Sequence, residues 1–165
     1  MRWLAFPLHP ETPEEGRTLE DLFAGQPVNI SEMMARLRSV AQAEGLPFGD
    51  RHKTYNSRLA QELAKWAEDQ GKGDAFHHAA FRAYFADGKN IAKISNLLDV
   101  AASVALDPVE TQKVLEERTC QNEVDADWQR ARRLGIRAAP TFLWGDRRLV
   151  GAHPYETLKR FVLNK

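Results

Sequence analysis

The stretch from Leu134 to Phe161, LGIRAAPTFLWGDRRLVGAHPYETLKRF, contains the densest succession of structural signals in the chain. Two short apolar segments, Thr141–Trp144 and Arg148–Val150, flank the turn residues Gly145–Arg147, and this spacing predicts an antiparallel hairpin. Pro154 suits the first turn of a closing helix. We therefore predict loop, strand, turn, strand and helix over this stretch, with the Ala139–Pro140 pair at the entrance to the first strand.

Composition limits the class of protein. The 165 residues are 43% hydrophobic and 28% charged, which is typical of one globular domain, and we predict a single domain over residues 1–165. Lys plus Arg equals Asp plus Glu at 23 each, so no global field recruits nucleic acid or an anionic membrane. Neither a secretory signal nor a run of about 18 apolar residues is visible, which favours a cytoplasmic protein and no membrane partner.

The chain has one cysteine, Cys120. An internal disulfide, a CxxC dithiol and a multi-cysteine zinc site are therefore excluded. We interpret Cys120 as a structural thiol, because cysteines of low pKa are the exception.

A helical block precedes the hairpin. Residues 2–8 predict a strand. Residues 9–28, rich in proline, predict a surface excursion with a possible turn at Thr18–Ala24. Helical periodicity then runs to residue 134. We predict helix starts at Ser31, at Asn56–Ser57, at Asp74 and at Asp107–Pro108, where the aspartate can cap and the proline fits the first turn. The predicted fold class is α/β by organisation and mostly helical by residue count, with residues 29–134 inserted between residues 1–8 and 135–165.

Four segments resemble one known family. They are Trp3–Pro10, Thr54–Arg58, Phe76–Phe85 and Gly135–Phe142. With this order of elements, the chain resembles the DsbA family of thioredoxin-like proteins, particularly its FrnE-like branch. The resemblance implies a thioredoxin-like fold of the DsbA type with a large helical insertion, and a protein disulfide oxidoreductase by descent.

The resemblance also implies the site residues. Pro140 corresponds to the cis-proline of the family, whereas periodicity alone indicates only a proline that enters a strand. Ala139 would then offer its N–H and C=O to an extended peptide, next to a proline that offers no donor, with Thr141 beside it. The implied substrate-binding residues are Ala139, Pro140 and Thr141, and the implied partner is a thiol-containing peptide or protein.

The catalytic half of the family pattern has no match in this sequence. The family places CxxC on a strand–helix unit that precedes the strand corresponding to residues 2–8, so we assign no catalytic residue and expect the chain to be inactive alone. In the family fold the unmatched strand lies between residues 2–8 and Thr141–Trp144, where its absence leaves open sheet edges. The N-terminal strand could pair with the hairpin, two chains could complete each other as a homodimer, or the unit could belong to a longer protein.

Two other functions stay open at this point. One is a glutathione-dependent enzyme similar to kappa transferases and hydroxychromene-carboxylate isomerases, in which glutathione would be the cofactor; the other is a non-catalytic remnant that binds a peptide or a partner. A basic run could hold a glutathione carboxylate, although a solvated face is the favoured interpretation. We assign no metal site, and interpret the histidines as structural. The basic run consists of Arg130, Arg132, Arg133 and Arg137. The histidines interpreted as structural are His9, His77, His78 and His153.

Overall fold

The computed structural model of the chain describes residues 2–163. About half of these residues are helical, which confirms the prediction of a mostly helical protein. In chain order the described elements are β1 (Arg17–Thr18), α1 (Leu19–Leu22), α2 (Ile30–Ala43), β2 (Lys53–Thr54), α3 (Arg58–Asp69), α4 (Gly73–Phe85), α5 (Ile94–Ser103), α6 (Pro108–Glu117), α7 (Gln121–Arg133), β3 (Thr141–Trp144), β4 (Arg147–Val150) and α8 (Tyr155–Leu163).

The chain divides into two compact units. Met1–Leu8 and Asp125–Lys165 together form one, called here the hairpin unit, and His9–Val124 forms the other, called the helical unit. The predicted partition of one domain into 1–8, 29–134 and 135–165 stays a prediction. No helix between residues 2 and 163 is both long enough and apolar enough to cross a membrane.

Helices α3 to α6 surround the core of the helical unit. Leu63, Phe76 and Leu97 are each at most 1% exposed. They come from three different helices, and burying a side chain of this size stabilises a protein by about 1.5–3 kcal/mol. The helical periodicity of the sequence therefore marks the faces that meet in this core.

All four predicted helix starts match the structure to within one residue. Asp107 caps α6, with its Oδ1 accepting from the Glu110 N–H at 2.9 Å, and Pro108 is the first helical residue. Helix α3 begins directly after Asn56–Ser57, and α4 begins one residue before Asp74. The predicted cap at Ser31 is wrong: Asn29 caps α2, because its Oδ1 already accepts from the Glu32 N–H at 3.2 Å.

Residues 9–28 contain structure that the sequence interpretation missed. β1 pairs with β2 in an antiparallel register that places Arg17 opposite Thr54. Gly16, just before β1, has φ +81°, and a Cβ there would lie 2.6 Å from the Tyr55 ring. The short α1 buries Leu19 to 1% exposure. This segment is therefore an integral part of the helical unit, and the short helix α1 lies where the sequence predicts a possible turn.

The predicted strand at residues 2–8 is also wrong, since no strand forms there. The Ala5 N–H instead donates to Oδ2 of Asp127 at 3.0 Å, so a side chain takes the place that a neighbouring strand would have. Within residues 2–163, β3 and β4 pair only with each other. Pairing of the N-terminal segment with the hairpin, one of the three expected ways to close the sheet, is therefore not seen.

A buried carboxylate forms ion pairs with two arginines of the helical unit. Glu62 on α3 is 2% exposed and binds the guanidinium groups of Arg58 and Arg118. The two bonds from Arg118 measure 2.6 and 2.7 Å. Burial alone would raise the pKa of Glu62, but the hydrogen bonds and charges of the two arginines outweigh it and hold this pKa below its ordinary value. Glu62 thus ties α3 to the residue that ends α6.

Candidate functional site: the loop before the hairpin

The loop that carries Pro140 begins where α7 ends. Gly135 has φ +62°, and its N–H donates to the Arg132 C=O at 2.9 Å. The Ile136 N–H donates to the Ala131 C=O at 3.0 Å, which completes the pair of bonds of a Schellman motif. Gly135 therefore ends α7 just after the helical periodicity of the sequence stops at residue 134, and it directs the chain into residues 136–140.

Arg148 anchors the hairpin to this helix end. Its guanidinium donates to the Gly135 C=O at 3.3 Å and also to the Leu134 C=O. A cation at these carbonyls satisfies groups that the helix leaves without partners and complements the helix dipole. The entrance and the exit of the loop are thereby held together.

The hairpin has a two-residue turn. Trp144 lies opposite Arg147, so only Gly145 and Asp146 connect the strands, and Arg147 belongs to β4 rather than to the predicted three-residue turn. Gly145 has φ +58°, which suits the first central position of a type II′ turn. The two-residue turn is favoured over the three-residue turn because its backbone twist matches that of the two strands.

The predicted site residues occupy the junction of loop and strand. The Ala139–Pro140 peptide bond is cis. The Thr141 hydroxyl donates to the Ala138 C=O at 2.6 Å, and the Gly151 N–H donates to the Pro140 C=O at 2.8 Å. The loop is thus held on both sides of Ala139, while Ala139 itself is exposed and its N–H and C=O bond to no residue between 2 and 163.

The outer edge of β3 continues this exposed backbone. Because the Gly151 N–H bonds to the Pro140 C=O, the pairs Phe142–Leu149 and Trp144–Arg147 are the hydrogen-bonded ones in the antiparallel register. The N–H and C=O groups of Thr141 and Leu143 therefore point away from β4. Together with Ala139 they form a line of alternate residues that can pair with an extended chain, called here the open edge.

One face of the hairpin is apolar and accessible. Leu143 and Val150 are 37% and 50% exposed, and paired residues of a hairpin share a face, which places both beside Thr141 and Arg148. On the opposite face the Arg147 guanidinium lies 5.3 Å from the Phe161 ring centre of α8. The two faces thus differ: α8 packs on one, and Leu143 and Val150 line the other.

The lone cysteine is buried. Cys120 is 6% exposed, and burial raises the pKa of its thiol. This agrees with the structural role that we predict for Cys120.

Three histidines take part in local contacts. His153 lies 2.9 Å from the Val150 C=O through Nε2. His9 lies 4.0 Å from the Glu11 carboxylate, a partner that the sequence interpretation did not identify. His77 lies 3.6 Å from Glu68, and burial lowers its pKa although the carboxylate opposes that shift. Among residues 2–163 no group of three potential ligands could hold a metal ion.

The chain is similar in sequence and fold to known proteins. The family model described as DSBA-like thioredoxin domain matches residues 1–162. A "probable DsbA oxidoreductase" from Streptomyces coelicolor has a TM-score of 0.84 and 26% identity, covering 94% of this chain and 70% of its own. The cytosolic disulfide reductase DsbM from Pseudomonas aeruginosa, solved with GSH, has a TM-score of 0.57 and 23% identity, with coverages of 84% and 73%. The comparison with curated proteins gives no match. The predicted thioredoxin-like fold of the DsbA type is confirmed.

Proposed function

This chain belongs to the DSBA-like thioredoxin domain family, and on that premise we propose that it supplies the substrate-binding half of a thiol–disulfide oxidoreductase. Ala139, Pro140 and Thr141 are its binding residues, and thiol-containing peptides or proteins are its substrates. The observation that carries the proposal is the Ala139 backbone, exposed and unbonded among residues 2–163 in a loop held on both sides.

The mode of binding follows from the open edge. An extended substrate that lies along Ala139, Thr141 and Leu143 can exchange main-chain hydrogen bonds with them, as an added strand does. The bonds from Thr141 to Ala138 and from Gly151 to Pro140 hold the loop in place before the substrate arrives. Binding then costs little ordering of the loop, which favours affinity.

Replacing Ala139 with proline is expected to weaken peptide binding about fivefold. The substitution removes one N–H donor, and one hydrogen bond contributes about 1 kcal/mol. Fluorescence anisotropy of a labelled, cysteine-containing peptide under reducing conditions measures the affinity. Ala152→Pro is the matched control, because Ala152 is also exposed and its N–H also has no partner among residues 2–163.

A second measurement guards against misfolding of the variant. The wild-type chain is titrated with peptides N-methylated at successive positions, and circular dichroism compares the folds of the two proline variants. Two results together would show that the open edge does not bind the peptide backbone. The variants Ala139→Pro and Ala152→Pro would bind the unmodified peptide with equal affinity, and the wild-type chain would bind every methylated peptide as tightly as the unmodified one.

A homodimer and a cytoplasmic location belong to the same proposal. The outer edge of β4, which also pairs with no strand of residues 2–163, supports the dimer, since a second chain can extend the sheet there and leave the open edge to the substrate. The location is supported by the cytosolic description of DsbM and by the lone, buried thiol. Light scattering at micromolar concentration is expected to give twice the mass of the chain, and a strictly monomeric mass would contradict the dimer.

A further inference from the structure

The formal net charge of zero is the sum of two opposite charges, one on each unit. The hairpin unit contains ten Lys and Arg residues and four Asp and Glu residues, a formal charge of +6. The helical unit contains thirteen Lys and Arg residues and nineteen Asp and Glu residues, a formal charge of −6. The unit that carries the Ala139–Thr141 site is therefore strongly basic, although the protein as a whole is not.

Most of the basic side chains near the site have no counter-charge. Arg130, Arg132, Arg133 and Arg137 are exposed, and none lies within ion-pair distance of a carboxylate of residues 2–163. The dipole of α7 accounts for cations in its last turn, but Arg137 lies beyond the helix, three residues before Pro140. Unpaired guanidinium groups of this kind bind carboxylates, often through two hydrogen bonds.

These cations adjoin the open edge and an apolar surface. Arg148 bonds to the carbonyls of Leu134 and Gly135, so the end of α7 and the hairpin face with Leu143 and Val150 meet at this residue. An extended segment on the open edge would meet guanidinium groups at the loop and apolar side chains at the strand.

We propose that the hairpin unit selects acidic polypeptide segments, so that the substrates are thiol proteins whose accessible segments combine Asp or Glu with apolar residues. This inference rests on the proposed function and names its substrate class. Carboxylates of the segment pair with Arg133 and Arg137, its backbone lies on the open edge, and its apolar side chains cover Leu143 and Val150. Attraction between opposite charges raises the rate of encounter and selects against basic partners.

Three peptides that differ only in charge test the proposal. They have the same length and a single cysteine, and carry four Glu, four Gln or four Lys residues at the same positions. At low salt the Glu peptide is expected to bind roughly tenfold more tightly than the Gln peptide and the Lys peptide most weakly, with the Glu advantage shrinking as salt screens the charges.

Charge reversal locates the effect on the protein. The double variant Arg133→Glu with Arg137→Glu is expected to remove the preference for the Glu peptide. The matched control is Arg36→Glu with Arg82→Glu, which changes the net charge equally at two exposed arginines of the helical unit and is expected to keep the preference.

The outcomes separate this inference from the proposed function. Equal binding of the Glu, Gln and Lys peptides would overturn the acidic preference and leave peptide binding intact, whereas no binding of any peptide would overturn both. An oligonucleotide of equal charge that displaces the Glu peptide at lower concentration would overturn the choice of polypeptide as partner. A preference lost equally in both double variants would overturn the placement at Arg133 and Arg137.

Discussion

Replacing Glu62 with alanine is expected to lower the free energy of unfolding by about 3 kcal/mol, the low end of what removing one member of a buried ion pair costs. The Glu62 carboxylate is 2% exposed and receives hydrogen bonds from both Arg58 and Arg118. The Arg58 side chain is only 15% exposed, so losing the carboxylate leaves its charge largely buried. The Arg118 side chain is 39% exposed and can regain water, so the expected loss stays at the low end. Urea unfolding followed by circular dichroism measures the change.

The control for this variant is Glu44→Ala, at an exposed helix end without an ion pair among residues 2–163. It is expected to change the free energy of unfolding by less than about 0.5 kcal/mol. If both variants unfold at the same urea concentration, Glu62 does not hold α3 to the end of α6.

The same carboxylate makes stability depend on pH. The pKa of Glu62 is lower in the folded than in the unfolded chain, so its contribution is present above the unfolded pKa of about 4.3 and is lost as pH falls through the folded value. Stability should therefore fall on acidification below about pH 5, and less steeply in Glu62→Gln. Equal slopes in the two proteins would contradict the lowered pKa.

Thiol–disulfide exchange by this chain is expected to be absent. Exchange by the family mechanism requires a thiolate that attacks and a second cysteine that resolves the mixed disulfide, and the chain has only Cys120. That thiol is buried, and burial raises its pKa. In an insulin-reduction assay, the rate with the protein should equal the rate with the chemical reductant alone.

Cys120→Ser serves as the matched control in that assay. The substitution replaces sulfur with oxygen and leaves the chain without a thiol, so both proteins should give the rate of the reductant alone. A rate above that of the reductant which disappears in Cys120→Ser would assign redox chemistry to this cysteine and refute our interpretation of it as structural.

Local signals in the sequence were sufficient for the loop and the hairpin. Gly135 is required where the helix ends with positive φ, Thr141–Trp144 and Arg148–Val150 have strand composition, and Pro140 stands where no donor is needed. Each of these depends on residues a few positions apart. The position of Pro140 at the strand entrance could therefore be predicted. The predicted turn was one residue too long.

Helix existence was equally predictable, whereas the choice between neighbouring caps was not. Asp107–Pro108 admits one start for α6, but Asn29 and Ser31 both have capping side chains. Their preferences are nearly equal, so packing of the whole helix decides between them.

The amino-acid pattern alone predicts the helical periodicity, the hairpin and the loop before it, because these depend on contacts between residues a few positions apart. The folded chain was needed to show that residues 2–8 form no strand, that Arg17 pairs with Thr54, and that Arg118 reaches Glu62 across 56 positions. A strand exists only beside a partner, and a buried carboxylate is stable only where distant cations meet it, so both depend on neighbours that no local pattern encodes.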